Sequence, residues 1–147
     1  MWKVKKFSQL TLDELFKIYQ LRCEVFVVEQ KITLQDIDDN DKKVWHLFLV
    51  DDDNQIICYG RIYEQTNYVT FGRIVVKRDH RGNHLGKNLV ENIMNLIADK
   101  YPKKEIRIEA QKYVEDLYTS FNFVPTGGIF LEGGVEHIKM KHQPFIK

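Results

Sequence analysis

"FGRIVVKRDHRGNHLGKNLVENIMNLI" (71–97) decides the fold. It opens as an apolar strand, "FGRIVV", and passes through a basic turn holding Gly82 and Gly86. It then becomes amphipathic, with Leu85, Leu89, Val90, Ile93, Met94 and Ile97 on one helical face. A helix that starts directly after such a turn aims its first, unpaired N–H groups and its partial positive charge at the turn. An anion such as phosphate is stabilised there by both effects. Arg81 and Lys87 add full charges, and the two glycines let the backbone approach the anion closely. His84 stands in the middle, where such loops usually keep glycine. Histidine is among the few side chains enriched at positive φ, so the turn can form around it.

Two phosphate-binding motifs are excluded. A GxxxxGK[ST] loop needs one more residue between the glycines, and Asn88 stands in place of the hydroxyl that would hold magnesium. The GxGxxG dinucleotide fingerprint is absent.

Outward from this stretch, "VTFGRIVVK" (69–77), the helix and the alternating "EIRIEAQ" (105–111) form a β-α-β crossover whose strands must be parallel neighbours or near neighbours. Upstream lies an edge strand, "WKVKKF" (2–7). A helix over 11 to about 24 follows, opened by the Thr11/Glu14 capping box, with Leu12, Leu15, Phe16, Tyr19 and Phe26 at helical spacing. "HLFLV" (46–50) and "IICYGRIYE" (56–64) read as a hairpin. Downstream, "YVEDLYTSF" (113–121) is a short helix closed by Asn122, which tolerates the left-handed conformation. "VPTGGIFL" (124–131) and "HIKMKH" (137–142) pair through "EGG". The fold class is α/β or α+β: one domain over 1–147 with a central mixed sheet.

Lys+Arg 22 against Asp+Glu 21 removes the electrostatic case for a nucleic-acid partner. Neither a signal-length apolar stretch nor a bilayer-length run occurs, so a cytoplasmic protein without a membrane partner is expected. Cys23 and Cys58 sit in apolar contexts and read as buried thiols with no metal-ligand spacing. "DIDDND" (36–41) places Asp36, Asp38 and Asn40 like calcium ligands. Asp41 and Leu47 occupy the places of the required glycine and glutamate, so no metal site is expected. Those acids are expected to cap helices or to line an entrance for a cationic amine.

Four stretches carry a family resemblance. "RGNHLG" (81–86) within "FGRIVVKRDHRGNHLGKNL" (71–89) resembles the R/Q-x-x-G-x-G/A coenzyme A loop of the GNAT acetyltransferases, with His84 in the middle glycine place. "LRCEVFVVEQ" (21–30) and "QDIDDND" (35–41) resemble ElaA-type segments, the second with Asp39 where glycine is common. "YVEDLYTSFNFVPTG" (113–127) resembles the GNAT segment ending Y-x-x-x-G-F, with Asn122 for glycine. Together they span most of the chain in the family's order, so the chain resembles the ElaA-like N-acetyltransferases.

The resemblance implies a sheet whose strands at 69–77 and 105–111 splay apart, with helices on its faces. Acetyl-CoA would enter the gap, its pantetheine amides on backbone groups along Ile74, Val75 and Val76. Its pyrophosphate would rest on the N–H groups of Arg81, Gly82, Asn83, His84, Leu85 and Gly86. Tyr118 matches the tyrosine that acts as general acid toward the departing sulfur; a core aromatic is the other reading of that spacing. A base must deprotonate the amine, whose pKa lies near 10.4. Glu109, on the polar face of its strand, is the best-placed candidate. Glu29, His46, Glu64 and His137 are further ones, and a water relay is an alternative. The implied activity is acetyl transfer to a small-molecule or protein primary amine by direct attack in a ternary complex. The alternative is a CoA-binding sensor that has lost catalysis. Oligomeric state, a homodimer included, stays open.

Overall fold

The computed structural model describes residues 1–147. Its centre is the crossover β4 (Tyr68–Val76), α2 (Leu85–Lys100), β5 (Glu105–Gln111). β4 and β5 are parallel and pair only at Tyr68–Glu105 and Val69–Ile106. Beyond that point they diverge, as expected, and leave a gap that no other strand fills. The remaining strands are β1 (Trp2–Lys6), β2 (Trp45–Val50), β3 (Ile56–Glu64), β6 (Val124–Glu132) and β7 (Val135–His142). They complete a seven-stranded sheet of order β1-β2-β3-β4-β5-β7-β6, antiparallel everywhere except at β4–β5.

α2 covers one face. Leu89, Val90, Ile93 and Ile97 are fully buried against Leu47, Cys58, Ile62, Val69 and Ile106. Each such side chain stabilises the fold by about 1.5–3 kcal/mol. Gly60 permits the approach, because a Cβ there would stand 2.9 Å from Ile74 Cδ1 and 3.0 Å from Ile93 Cδ1. The short α3 (Glu115–Thr119) lies on the same core through Tyr118.

α1 (Leu12–Arg22) covers the other face and begins with the expected capping box. Thr11 Oγ1 accepts from the Glu14 N–H at 3.0 Å, and the Thr11 N–H donates to Glu14 at 2.9 Å. Its buried face is only partly the one the apolar spacing suggested, Phe26 being buried as expected. Ile18, Leu21, Arg22, Val25 and Phe26 point inward, while Leu12 (87%) and Phe16 (64%) are exposed. α1 also continues as a π-helical turn over Cys23–Glu29. That turn rotates the residues after Arg22 relative to an α-helical continuation. Cys23, at the C-cap of α1 with α-helical φ and ψ, is exposed, against expectation, and only Cys58 is a buried thiol.

Candidate active site

One cavity of about 1260 Å³ follows the β4–β5 gap from the start of α2 to the loop at 35–38. At its upper end the turn before α2 has the anticipated geometry. His84 adopts φ 60, ψ 17, the left-handed conformation, at the N-cap position of α2. Gly82 takes φ 87. A Cβ at Gly82 or Gly86 would meet no atom within 4 Å, so both glycines face open space. Arg81, Gly82, His84, Leu85 and Gly86 line the cavity; Asn83 is an exposed turn residue that does not.

Arg81 is engaged within the protein. Its guanidinium is paired with Glu29 at 2.5 and 2.9 Å, and its Nε donates to the Val76 carbonyl at 3.1 Å. A phosphate placed at the turn would compete with Glu29 for this guanidinium. A ligand amide donating to Val76 competes with its Nε.

Backbone alternation assigns the groups along β4. The Lys77 N–H donates to Ile57 on β3, and Val75 stands opposite Tyr59. Residues 75 and 77 therefore turn their polar groups to β3, and Ile74 and Val76 turn theirs into the gap. Val75 corrects the expectation of backbone contact along 74–76. Its N–H and C=O belong to the sheet, and its side chain packs beneath α1. Just below, the register slips so that β4 carries one extra residue opposite Gly60. Arg73, in this bulge, has φ 52.

Tyr118 and Glu109 lie on opposite faces of the gap. Tyr118 is buried on the α2 face, with its ring 6.0 Å from Phe71 and 5.9 Å from Phe123 between centroids. Its side chain nevertheless lines the cavity, and burial pushes its phenol well above the usual range. Glu109 projects from the other face, opposite Lys139 of β7. Burial and then the neighbouring Glu132 carboxylate push its carboxyl above the ordinary glutamate range, with Lys139 opposing.

The other base candidates have different surroundings. His46 is fully buried. Its Nε2 faces the Asp41 carbonyl at 2.8 Å and must donate, so Nδ1 accepts from the Tyr59 hydroxyl at 2.6 Å. Burial lowers its pKa, consistent with this neutral structural role. Glu29 pairs with Arg81, and Glu64 with Lys104 at 2.9 Å. His137 lines the cavity, donating from Nδ1 to the Val135 carbonyl at 2.7 Å.

The acids of "DIDDND" have the largest departure from expectation. Asp38 does cap the 3-10 turn Asp39–Lys42. But Asp36, Asp38 and Asp41 are bound by three arginines. Arg22 reaches Asp41 at 2.7 Å and Asp36 at 3.1 Å. Arg61 reaches Asp38 at 2.6 Å and Asp41 at 3.1 Å. Arg73 reaches Asp36 at 3.0 Å. Three guanidiniums balance these three carboxylates, so the paired acids offer little net attraction to a cationic amine.

A model of the "Acetyltransferase (GNAT) domain" matches residues 14–144. The chain belongs to the GNAT acetyltransferase family. Protein ElaA of Escherichia coli is 31% identical over 146 residues, 97% of this chain and 95% of ElaA. Its crystal structure superimposes with a TM-score of 0.91, covering 97% of this chain and 99% of that one. A UPF0039 protein of Synechocystis sp. is 32% identical over 142 residues, 95% of this chain and 92% of its own length. The structure of an acyl-CoA N-acyltransferase from Pseudomonas aeruginosa matches with TM-score 0.89 at 32% identity, covering 96% and 98% of the two chains. No helix of this GNAT domain is long and apolar enough to cross a membrane.

The sequence singled out the turn before α2, Tyr118 and Glu109, all of which line the cavity, but not the Arg73 bulge. Gly72 is its neighbour in the sequence, and the left-handed conformation would be expected to fall on that glycine.

His84→Gly should leave the turn intact, since glycine adopts φ near 60 without strain. Thermal unfolding and CoA titration should match the wild type closely. A large loss of CoA affinity would instead show that the imidazole itself holds the ligand.

Proposed function

We propose that this protein is an acetyl-CoA-dependent N-acetyltransferase acting on a primary amine of a small molecule or protein in the cytoplasm. The acceptor attacks the thioester directly in a ternary complex. Neither nucleic acid nor membrane has a part in the reading. The observation that carries it is the placement of Glu109 and Tyr118 on opposite faces of one gap into which Ile74 and Val76 turn their backbone groups.

The open, glycine-bearing N-terminus of α2 fits a pyrophosphate, and the gap-facing groups of Ile74 and Val76 fit an extended chain of amides. Bound acetyl-CoA supplies the thioester. Glu109, directly or through one water, takes a proton from the arriving ammonium, and a second proton leaves nitrogen as the amide forms. The N–H of Ile74 or Val76 donates to the thioester oxygen as its charge grows. Tyr118 gives its phenolic proton to sulfur as the C–S bond breaks and regains one from solvent. The balance is one ammonium and one thioester giving one amide, one free thiol and one proton.

Initial rates with both substrates varied should give intersecting double-reciprocal lines. Parallel lines would indicate an acyl-enzyme and would overturn direct attack.

A second expectation concerns pH. A base must be deprotonated to act, so kcat/KM should rise through an acidic limb lying above the ordinary glutamate range near 4.3. Glu109→Gln should abolish that limb and lower kcat/KM by about 100-fold. A variant that keeps both the limb and the rate would remove Glu109 from the mechanism.

A further inference from the structure

The bulge residue Arg73 holds the left-handed conformation, φ 52, although Gly72 is next to it and a Cβ at Gly72 would meet no atom within 4 Å. Strain at a non-glycine residue persists when its surroundings over-determine it. Here the surroundings are the guanidinium's partners. Arg73 Nε lies 3.0 Å from Asp36 Oδ1 and 3.2 Å from the Asp36 carbonyl. NH2 donates to the Asp36 and Gln35 carbonyls at 3.1 and 3.3 Å, and lies 3.5 Å from Asp38. Asp36 is also held by Arg22 of α1, and Asp38 by Arg61 of β3. The bulge is thus fastened through one loop to a helix and to the neighbouring strand.

Resting on the acetyltransferase reading above, we propose that Arg73 is a positioning residue for acyl transfer. The Arg73 fork and the Asp36/Asp38 loop fix the bulge, and with it the adjacent Ile74 N–H that faces the thioester gap. The same contact holds the 35–38 loop as the wall of the cavity on the α1 face. A donor to a developing oxyanion is effective only while its position is held, and misplacement by about 1 Å costs on the order of 100-fold in rate. Most of the CoA contacts proposed above, the α2 turn and the Val76 groups, lie outside the bulge, so CoA affinity should change far less than kcat when Arg73 is replaced.

The test uses Arg73→Gly, which favours the bulge conformation but removes the tether. Arg73→Asn is a second variant, since asparagine also tolerates positive φ. Both should fold and bind CoA within about threefold of wild-type affinity, while kcat falls about 10- to 100-fold. Arg73→Lys, which keeps the charge without the fork, should fall between. In NMR spectra of the CoA complex, the Ile74 amide signal, single in the wild type, should broaden or split in Arg73→Gly. An active wild type together with variants of unchanged kcat overturns the proposal. A wild type without amine-dependent thiol release instead overturns the acetyltransferase reading; the Ile74 signal then decides alone whether Arg73 holds the bulge. An unchanged Ile74 amide overturns the proposal in either case.

Discussion

Asp41→Asn should lower the unfolding free energy by about 3–5 kcal/mol, a large share of the roughly 5–15 kcal/mol available to a typical domain. Asp41 is 1% exposed. Its carboxylate accepts from Arg22 at 2.7 and 3.2 Å, from Arg61 at 3.1 Å and from the Asp38 N–H at 3.1 Å. Asparagine keeps the size but removes the charge, leaving two buried guanidiniums with one anion fewer. It also turns an NH2 toward one of these donors. The melting temperature should fall by about 6–20 °C. The denaturant midpoint should shift at unchanged slope.

A pH signature follows from the same contacts. The Arg61 hydrogen bonds hold Asp38 below the usual carboxylate range. Burial would raise Asp41, but the Arg22 and Arg61 guanidiniums outweigh it and the net displacement is downward. Groups whose native pKa is depressed stabilise the fold above their unfolded value, near 3.9 for aspartate, and lose that contribution as pH falls through the native value. Wild-type stability should therefore drop below about pH 4. Asp41→Asn should already be less stable at neutral pH and show a shallower acid loss. Equal stability of the two proteins at pH 7 would contradict the ion network as described.

Tyr118→Phe should reduce kcat by about 100-fold or more while leaving CoA affinity and melting temperature nearly unchanged. The ring contacts with Phe71 and Phe123 survive the substitution. Burial disfavours the phenolate, so Tyr118 keeps its proton in the resting protein. The same apolar surroundings disfavour a departing thiolate, so the proton would pass only as charge builds on sulfur in the lengthening C–S bond, and solvent would reprotonate the phenolate. An unaffected kcat with chemistry rate-limiting would leave Tyr118 as a core aromatic only.

What could be read from the sequence was local and periodic. The strand–turn–helix at 71–97, the buried face of α2 and the left-handed Asn122, φ 71, follow from residue type and spacing. His84 was legible for the same reason, because its φ is a property of the turn. α1 was misread because its inward face carries Glu14 and Arg22, which an apolar pattern counts as solvent-facing, while Leu12 and Phe16 lie outside. The π-helical turn has no residue signature, and Cys23 lies on the solvent side of α1 despite its apolar neighbours in sequence. The "DIDDND" acids read as helix caps or an amine entrance because their partners, Arg22, Arg61 and Arg73, come from three separate elements. Only the fold brings them together, and the bulge at Arg73 is equally invisible in the sequence.

The central claim is amine-dependent acyl transfer in the β4–β5 gap. Its most direct test is free thiol release from acetyl-CoA with a panel of primary amines, with the acetylated product weighed by mass spectrometry. The predicted result is thiol release that requires the amine, one thiol per acetylated amine. CoA that binds at the α2 turn without amine-dependent thiol release across the panel would contradict it and leave a CoA-binding sensor on an acetyltransferase fold.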